Sequence, residues 1–279
     1  MTFRLAQISD THLSDRVPGF RANFDLLAEH LRAARPDLVI NTGDISLDGA
    51  DRAEDLAFAR EAHEELGLDL LALPGNHDVG DDPLPDCRQP ADAERLTRWR
   101  AQLGPDTFVR DVPGWRLIGL NTQITATSHP EAEEQMEMLV RALHGTAGRA
   151  VAVFMHKPLC QERMEETDST YWCVQPAPRH RLFNLLLPQR PAFVASGHVH
   201  QWRDRGVCQG LRQIWAPSVA FIVGDAWQET AGEKTVGFVE HLLHPDGSFE
   251  TRVVSLPHLT RHDIGEMPEI YGPQRRLAA

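Results

Sequence analysis

The sequence predicts an α/β protein built from two packed β-sheets with helices on the outside. Three observations point there. Over the first half of the chain, apolar runs of strand length alternate with longer stretches of helical period. The C-terminal part reads instead as a succession of short strands. Five of the apolar runs end on oxygen- or imidazole-bearing residues, as in sheets whose carboxyl edges carry the chemistry.

The first strand begins near residue 3, runs through 5–8 and leads to Asp10-Thr11-His12. Phe20, Phe24, Leu27, Leu31 and Ala34 then fall on one face of a helix, stopped by Arg35-Pro36. A strand over 38–41 leads into Gly43-Asp44. Leu56, Ala59, Ala62 or His63, and Leu66 mark the inward face of a second helix. The run 68–73 is a third strand, cut by Pro74-Gly75 and followed by Asn76-His77-Asp78. Strand, helix, strand, helix, strand at this spacing reads as right-handed βαβ units on a largely parallel sheet.

Residues 80–90 form a loop rich in Pro and Asp, and a helix passes through Leu96, Trp99 and Leu103. Stretches 107–112 and 115–121 flank Pro113-Gly114 as a hairpin. The helix over 130–143 opens with proline and several glutamates, as helix N-termini prefer. A strand over 150–155 delivers His156. Residues 157–178 hold no period and include Tyr171, Trp172 and three prolines, so they are read as a loop, functional or mobile at this length. A helix near 180–187 and a strand to 196 bring the chain to Gly197-His198-Val199-His200. Strands are then expected over 207–209, 213–216, 219–223, 236–243 and 248–255, with a turn at 245–247. Residues 256–279 read as an irregular tail, and the whole chain, 1–279, as one domain.

The chain has 279 residues, 42% of them apolar and 24% charged, which suffices for one large core. No apolar run reaches the length of a membrane span, and none precedes the first strand as a leader would. Cys87, Cys160, Cys173 and Cys208 are widely spaced, without a C-x-x-C, and read as reduced thiols. A cytoplasmic protein is expected. A formal net charge of −12 argues against a nucleic-acid binder that works through a broad basic face. The expected partner is therefore a small molecule, with no extended nucleic acid and no membrane.

The strand-end residues are two carboxylates (Asp10, Asp44), one amide (Asn76) and four imidazoles (His12, His156, His198, His200). Hard-to-borderline divalent metals take this mixture. Singly, each has a plainer reading: a lone histidine packs in a core, and an aspartate caps a helix. Only the joint pattern points to a metal site. In Asp10-x-His12 and His198-x-His200, side chains two apart on an extended segment point the same way, which would let each pair converge.

The motifs D-x-H, G-D, G-N-H-D, a lone H and G-H-x-H, in that order over residues 10–200, resemble the calcineurin-like metallophosphoesterases. The opening Ile8-Ser9-Asp10-Thr11-His12-Leu13 is similar to the bacterial branch of cyclic-nucleotide and glycerophospho-diesterases. The resemblance implies a four-layer α/β/β/α sandwich, two mixed β-sheets flanked by helices. It implies two metal ions, drawn from Fe, Mn, Zn or Co, one on Asp10, His12 and His200 and the other on Asn76, His156 and His198. Asp44 would bridge them. Two dications against two aspartates and a bridging hydroxide leave the site locally near +1, so the acidic chain can still take an anion.

The implied reaction is phosphoryl transfer to water by a hydroxide between the metals, with His77 as proton donor to the leaving alkoxide. The expected substrate is a small phosphodiester. A phosphomonoesterase or nucleotidase, and a non-catalytic metal-binding scaffold of the same fold, are the alternatives. The sequence departs from the family pattern twice. Where family phosphatases often carry an acid three residues after the bridging aspartate, this chain has Leu47, followed by Asp48. After His156, where a second histidine is frequent in the bacterial branch, it has Lys157, expected to contact an anionic substrate or to face solvent. Lys157, Arg163, Tyr171 and Trp172 make 157–178 a candidate substrate cap, the alternative being a loop packed against another subunit of a homo-oligomer.

Overall fold

The βαβ units form where the sequence places them. In the computed structural model, which describes residues 1–83, 87–167, 171–273 and 276–277, strand β1 (Phe3–Ile8) leads to helix α1 (Pro18–Ala34), β2 (Leu38–Asn41), α2 (Ala53–Glu64) and β3 (Leu70–Ala72). β1 pairs in parallel with β2, and β2 with β3. Helix α1 stops because Pro36 cannot continue it. Next come α3 (Asn76–Val79), α4 (Ala93–Leu103), the hairpin β4 (Phe108–Val112) and β5 (Trp115–Leu120), α5 (Pro130–His144), β6 (Ala150–Met155), α6 (Pro176–Leu186) and β7 (Phe193–Ser196). Strands β8 (Arg203–Cys208), β9 (Leu211–Trp215), β10 (Phe221–Ile222), β11 (Phe238–Leu243), β12 (Phe249–Val254) and β13 (His262–Asp263) follow, then the one-turn helix α7 (Pro268–Tyr271).

One sheet has the order β12-β11-β1-β2-β3 and the other β4-β5-β6-β7-β9-β8. Both are mixed, since β11 joins β1 antiparallel and β8 joins β9 antiparallel. Side-chain alternation produces the layering. On β6, Ala152 and Phe154 pack between the sheets with Leu5, Leu38 and Ile40. Their neighbours Val151, Val153 and Met155 pack instead with Leu139 of α5 and Leu182 of α6. On the other sheet, Ala6, Ile8 and Val39 meet Phe24, Leu27 and Leu31 of α1 and Leu56 of α2. Two sheets face each other and helices cover both outer faces, as the four-layer expectation required.

Three local expectations are corrected. Helix α6 starts at Pro176, so the aperiodic stretch ends there; its prolines fall in the first turn, where no N–H is needed. The strand expected over 219–223 is only β10, and its partner is β13, from the region read as an irregular tail. That region also folds into α7. Elements of two to four residues have no period to detect. Asp168, Ser169 and Thr170 of the expected cap lie outside the described residues, as do 84–86 of the expected loop and 274–275 and 278–279 of the expected tail. Among the described residues, no helix is long and apolar enough to cross a membrane, and no disulfide forms.

Two buried histidines away from the site are built to stay neutral. His241 Nε2 donates to Gln7 Oε1 (3.1 Å) while Nδ1 accepts from Thr251 Oγ1 (3.1 Å). His63 Nδ1 donates to the Ala59 carbonyl (2.8 Å) while Nε2 accepts from Asn41 Nδ2 (2.9 Å). Burial lowers His63 to about 4 and His241 to about 3, from an ordinary 6.5. The folded chain therefore holds fewer protons than the unfolded chain over this range, and stability falls as pH drops below 6.5. Between pH 6.5 and 5 the expected loss is about 1.5 kcal/mol per histidine. Urea unfolding of metal-stripped protein at those two pH values measures it. His63→Gln and His241→Gln should each flatten the dependence; an undiminished slope in both variants would refute the assignment.

Candidate metal centre

All seven predicted ligands come together at one edge where the two sheets meet. Asp10 and His12 follow β1, Asp44 follows β2, and Asn76 opens α3 after β3. His156 follows β6, and His198 and His200 follow β7. The ligand atoms of Asp10, His12 and His200 lie within 4.8 Å of one another, and so do those of Asp44, His156 and His198. Asp44 stands between the groups: its Oδ2 is 3.3 Å from His156 Nε2 and 3.8 Å from His12 Nε2. Asn76 Oδ1 is 3.2 Å from His156 Nε2.

The way the pairs converge corrects the extended-segment expectation. Asp10, His12, Asp44, His198 and His200 all have positive φ, between 43° and 66°. Backbone strain of this kind costs about 1–3 kcal/mol per residue and persists only where the surroundings over-determine it. Here the loops brace one another, with Asp10 N–H donating to the Gly43 carbonyl and His12 N–H to the Asp44 carbonyl, each at 2.9 Å. Gly43 (φ 105°) is required at its position, because a Cβ there would lie 2.5 Å from His156 Nδ1. Asp78 is a further brace that sequence reasoning did not single out. Its carboxylate accepts from the N–H groups of Gly75, Ile45 and Ser46, and burial, then the charge of Asp44, pushes it up to about 6.

Hydrogen bonding fixes which nitrogen of each histidine faces inward. His156 Nδ1 donates to the Thr42 carbonyl (2.8 Å), His198 Nε2 to the Tyr171 carbonyl (2.8 Å) and His200 Nδ1 to the Phe221 carbonyl (2.9 Å). The remaining nitrogens point at each other: His156 Nε2 and His198 Nδ1 are 3.1 Å apart, and His12 Nε2 and His200 Nε2 are 3.3 Å apart. Asp10 Oδ1 is buried beside them without a hydrogen-bond partner. Converging lone pairs and an orphaned carboxylate oxygen are a donor set that fits cations.

The charges agree with that fit. Burial, and then the neighbouring histidines, hold His12 and His198 well below the usual imidazole range, in the neutral form that binds metals. Burial alone would raise Asp44, yet His156 and His77 keep it well below the usual carboxylate range. Burial alone would lower His156, but Asp44 beside it raises it to about 9. A cation bound at His156 Nε2 would have to displace that proton.

The calcineurin-like phosphoesterase family model matches residues 3–202. The chain belongs to that family. It is a metal-dependent phosphoester hydrolase. It is 28% identical over 267 residues to the 3′,5′-cyclic adenosine monophosphate phosphodiesterase CpdA of Pseudomonas aeruginosa, covering 89% of this chain and 88% of that one. It is 27% identical over 214 residues to the probable glycerophosphodiester phosphodiesterase GpdQ of Arcobacter nitrofigilis, covering 71% of each. Among solved structures, a dimetal phosphatase of Danio rerio shares the fold at a TM-score of 0.59 and 14% identity, over 91% of this chain and 99% of that one.

In this calcineurin-like phosphoesterase, His77 faces the same cavity as His12, Asp44, His198 and His200, and its ring is held by the backbone carbonyl of Leu47. His77 Nδ1 donates to it at 3.1 Å, leaving Nε2 free to face the cavity. Asp48 turns away and accepts from Gln89 Nε2 (2.9 Å).

Tyr171 and Trp172 line the cavity, as expected of the loop. Tyr171 also braces ligands: its hydroxyl accepts from Asn76 Nδ2 (3.1 Å), which turns Asn76 Oδ1 inward. Lys157 is corrected. It is fully buried, its ammonium is held by Asp81 and Asp82, and it does not line the cavity. Sequence reasoning missed Phe221, Trp227, Ile264 and Tyr271, which complete the cavity wall from the β-rich half and the tail. Phe221 was read only as part of a strand, and single apolar residues in stretches with no period carry no signal.

Proposed function

We propose that the chain hydrolyses small phosphodiesters on two cations, one held by Asp10, His12 and His200 and the other by Asn76, His156 and His198, with Asp44 shared. Bound there, divalent ions supply charge for the phosphate oxygens and acidify water for the attack. The chain's own groups supply the rest. To act as the acid, His77 must carry protons on both nitrogens: Nδ1–H is held by the Leu47 carbonyl, which keeps the ring turned, and Nε2–H passes to the leaving alkoxide. The aromatic wall of Tyr171, Trp172, Phe221, Trp227 and Tyr271 orients the organic part of the substrate and limits water.

The observation that carries the diester reading is the composition of the cavity, about 270 Å³. No Lys or Arg lines it among the described residues. A phosphomonoester brings two negative charges at neutral pH and gains from an extra cationic side chain; a diester brings one. The relatives CpdA and GpdQ, to which the chain is similar, are themselves named as phosphodiesterases. The test pairs each diester with the monoester of the same alcohol, using metal-stripped protein reloaded with Mn, Fe, Zn or Co. A kcat/KM ratio of about 100-fold or more in favour of the diester is expected, equivalent to two factors of ten in transition-state binding. A preference for the monoester throughout the panel overturns the reading.

A further inference from the structure

The chain contains two tyrosines, and both hydroxyls touch predicted ligands. Tyr171 comes from the expected cap. Tyr271 comes from α7, in the stretch that shows no sequence signal, and reaches a ligand 259 residues away. Its Oη lies 2.8 Å from His12 Nδ1 and 3.2 Å from the Leu47 carbonyl oxygen. Its ring stands 4.8 Å from that of His77 and 6.2 Å from that of Phe221, between centroids.

A hydroxyl has one proton, and a carbonyl oxygen can only accept. Suppose Tyr271 Oη donated to His12 Nδ1. The neutral imidazole would then carry its proton on Nε2, the nitrogen that faces His200 and Asp44, and could not bind a cation there. The other arrangement satisfies every group. His12 Nδ1 donates to Tyr271 Oη, Oη donates to the Leu47 carbonyl, and His77 Nδ1 donates to the second lone pair of the same carbonyl. His156, His198 and His200 each use a backbone carbonyl for this purpose. Among these four histidines, His12 alone relies on a side chain, and that side chain comes from the far end of the chain.

We infer that Tyr271 is a positioning residue of the metal centre, fixing His12 in the tautomer that presents Nε2 and completing the site from α7. The inference rests on the reading that Asp10, His12 and His200 hold a cation. Loss of such an outer partner costs about 10–100-fold in metal affinity. The loss should fall on one ion only, because Tyr271 touches no residue of the Asn76, His156 and His198 group.

The experiment compares wild type, Tyr271→Phe and Tyr171→Phe. Mn²⁺ is titrated into metal-stripped protein, and the occupancy of each half-site is read from anomalous diffraction of crystals grown at limiting Mn²⁺. The melting temperature of the metal-free proteins is measured in parallel, since the phenylalanine ring keeps the packing on His77 and Phe221. Tyr271→Phe should weaken the Asp10–His12–His200 ion about 10–100-fold with the other ion unaffected, while the metal-free melting temperature falls by no more than the loss of one buried hydrogen bond accounts for. Tyr171→Phe should show the opposite selectivity, because it frees the Asn76 amide. Two ions bound by Tyr271→Phe as tightly as by wild type overturn the inference alone, and so does equal weakening of both. A wild type that takes up no Mn²⁺ overturns the two-cation reading and this inference with it.

Discussion

Asp44→Asn is expected to strip the protein of most of its metal and to lower kcat/KM by about 10³-fold or more. The carboxylate sits between the two ligand groups, with Oδ2 within 3.3 Å of His156 Nε2 and 3.8 Å of His12 Nε2. An amide offers one neutral oxygen in its place, so it can neither bridge two cations nor neutralise them. Charge stabilisation by bound metal is worth several kcal/mol in a transition state, and about 4 kcal/mol corresponds to the stated factor. Metal per chain after gel filtration, with kcat/KM on the preferred diester, measures both effects. His200→Ala should deplete one ion and leave the other. Retention of two ions and full activity by Asp44→Asn would remove the bridging role.

His77→Ala is expected to lose about 10²–10⁴-fold on alkyl diesters, the usual size of a general-acid contribution. On nitrophenyl diesters the loss should be far smaller, because a phenolate leaves without a proton. The geometry allows this division of labour: Nδ1 is committed to Leu47, so only Nε2 can exchange a proton with the substrate. Wild type and variant are compared across leaving groups of graded pKa, with metal quantified in every sample. His77 also lies close to His12 and Asp44, so the metal measurement is essential. Equal losses across the series at full metal content would make His77 a group that positions phosphate and protonates nothing.

The candidate ligands were legible because metal chemistry demands residue types that packing does not, at the ends of runs whose period of two or 3.6 shows in the sequence. Asp10, His12, Asp44, Asn76, His156, His198 and His200 meet in one place for that reason. The means of their convergence was not legible, because positive φ at an Asp or a His leaves no trace in composition. Lys157 shows a second limit: a lysine after a strand reads as exposed, and only the fold reveals Asp81 and Asp82 beside it. Tyr271 shows a third. Its one-turn helix is too short to have a period, and its partner His12 is distant in sequence.

Each proposed ion takes ligands from both halves of the sandwich. Asp10 and His12 belong to the sheet of β1 and His200 to the sheet of β7, while Asn76 follows β3 and His156 and His198 follow β6 and β7. A cation held there acts as a clip across the inter-sheet core, present only while the two sheets are docked. By mass action, free metal at 100 times its dissociation constant adds about 2.7 kcal/mol per ion to the docked state. On the two-cation reading, metal supply would add to the stability of the docked sheets as well as to the working of the site, and a chelator would act on both.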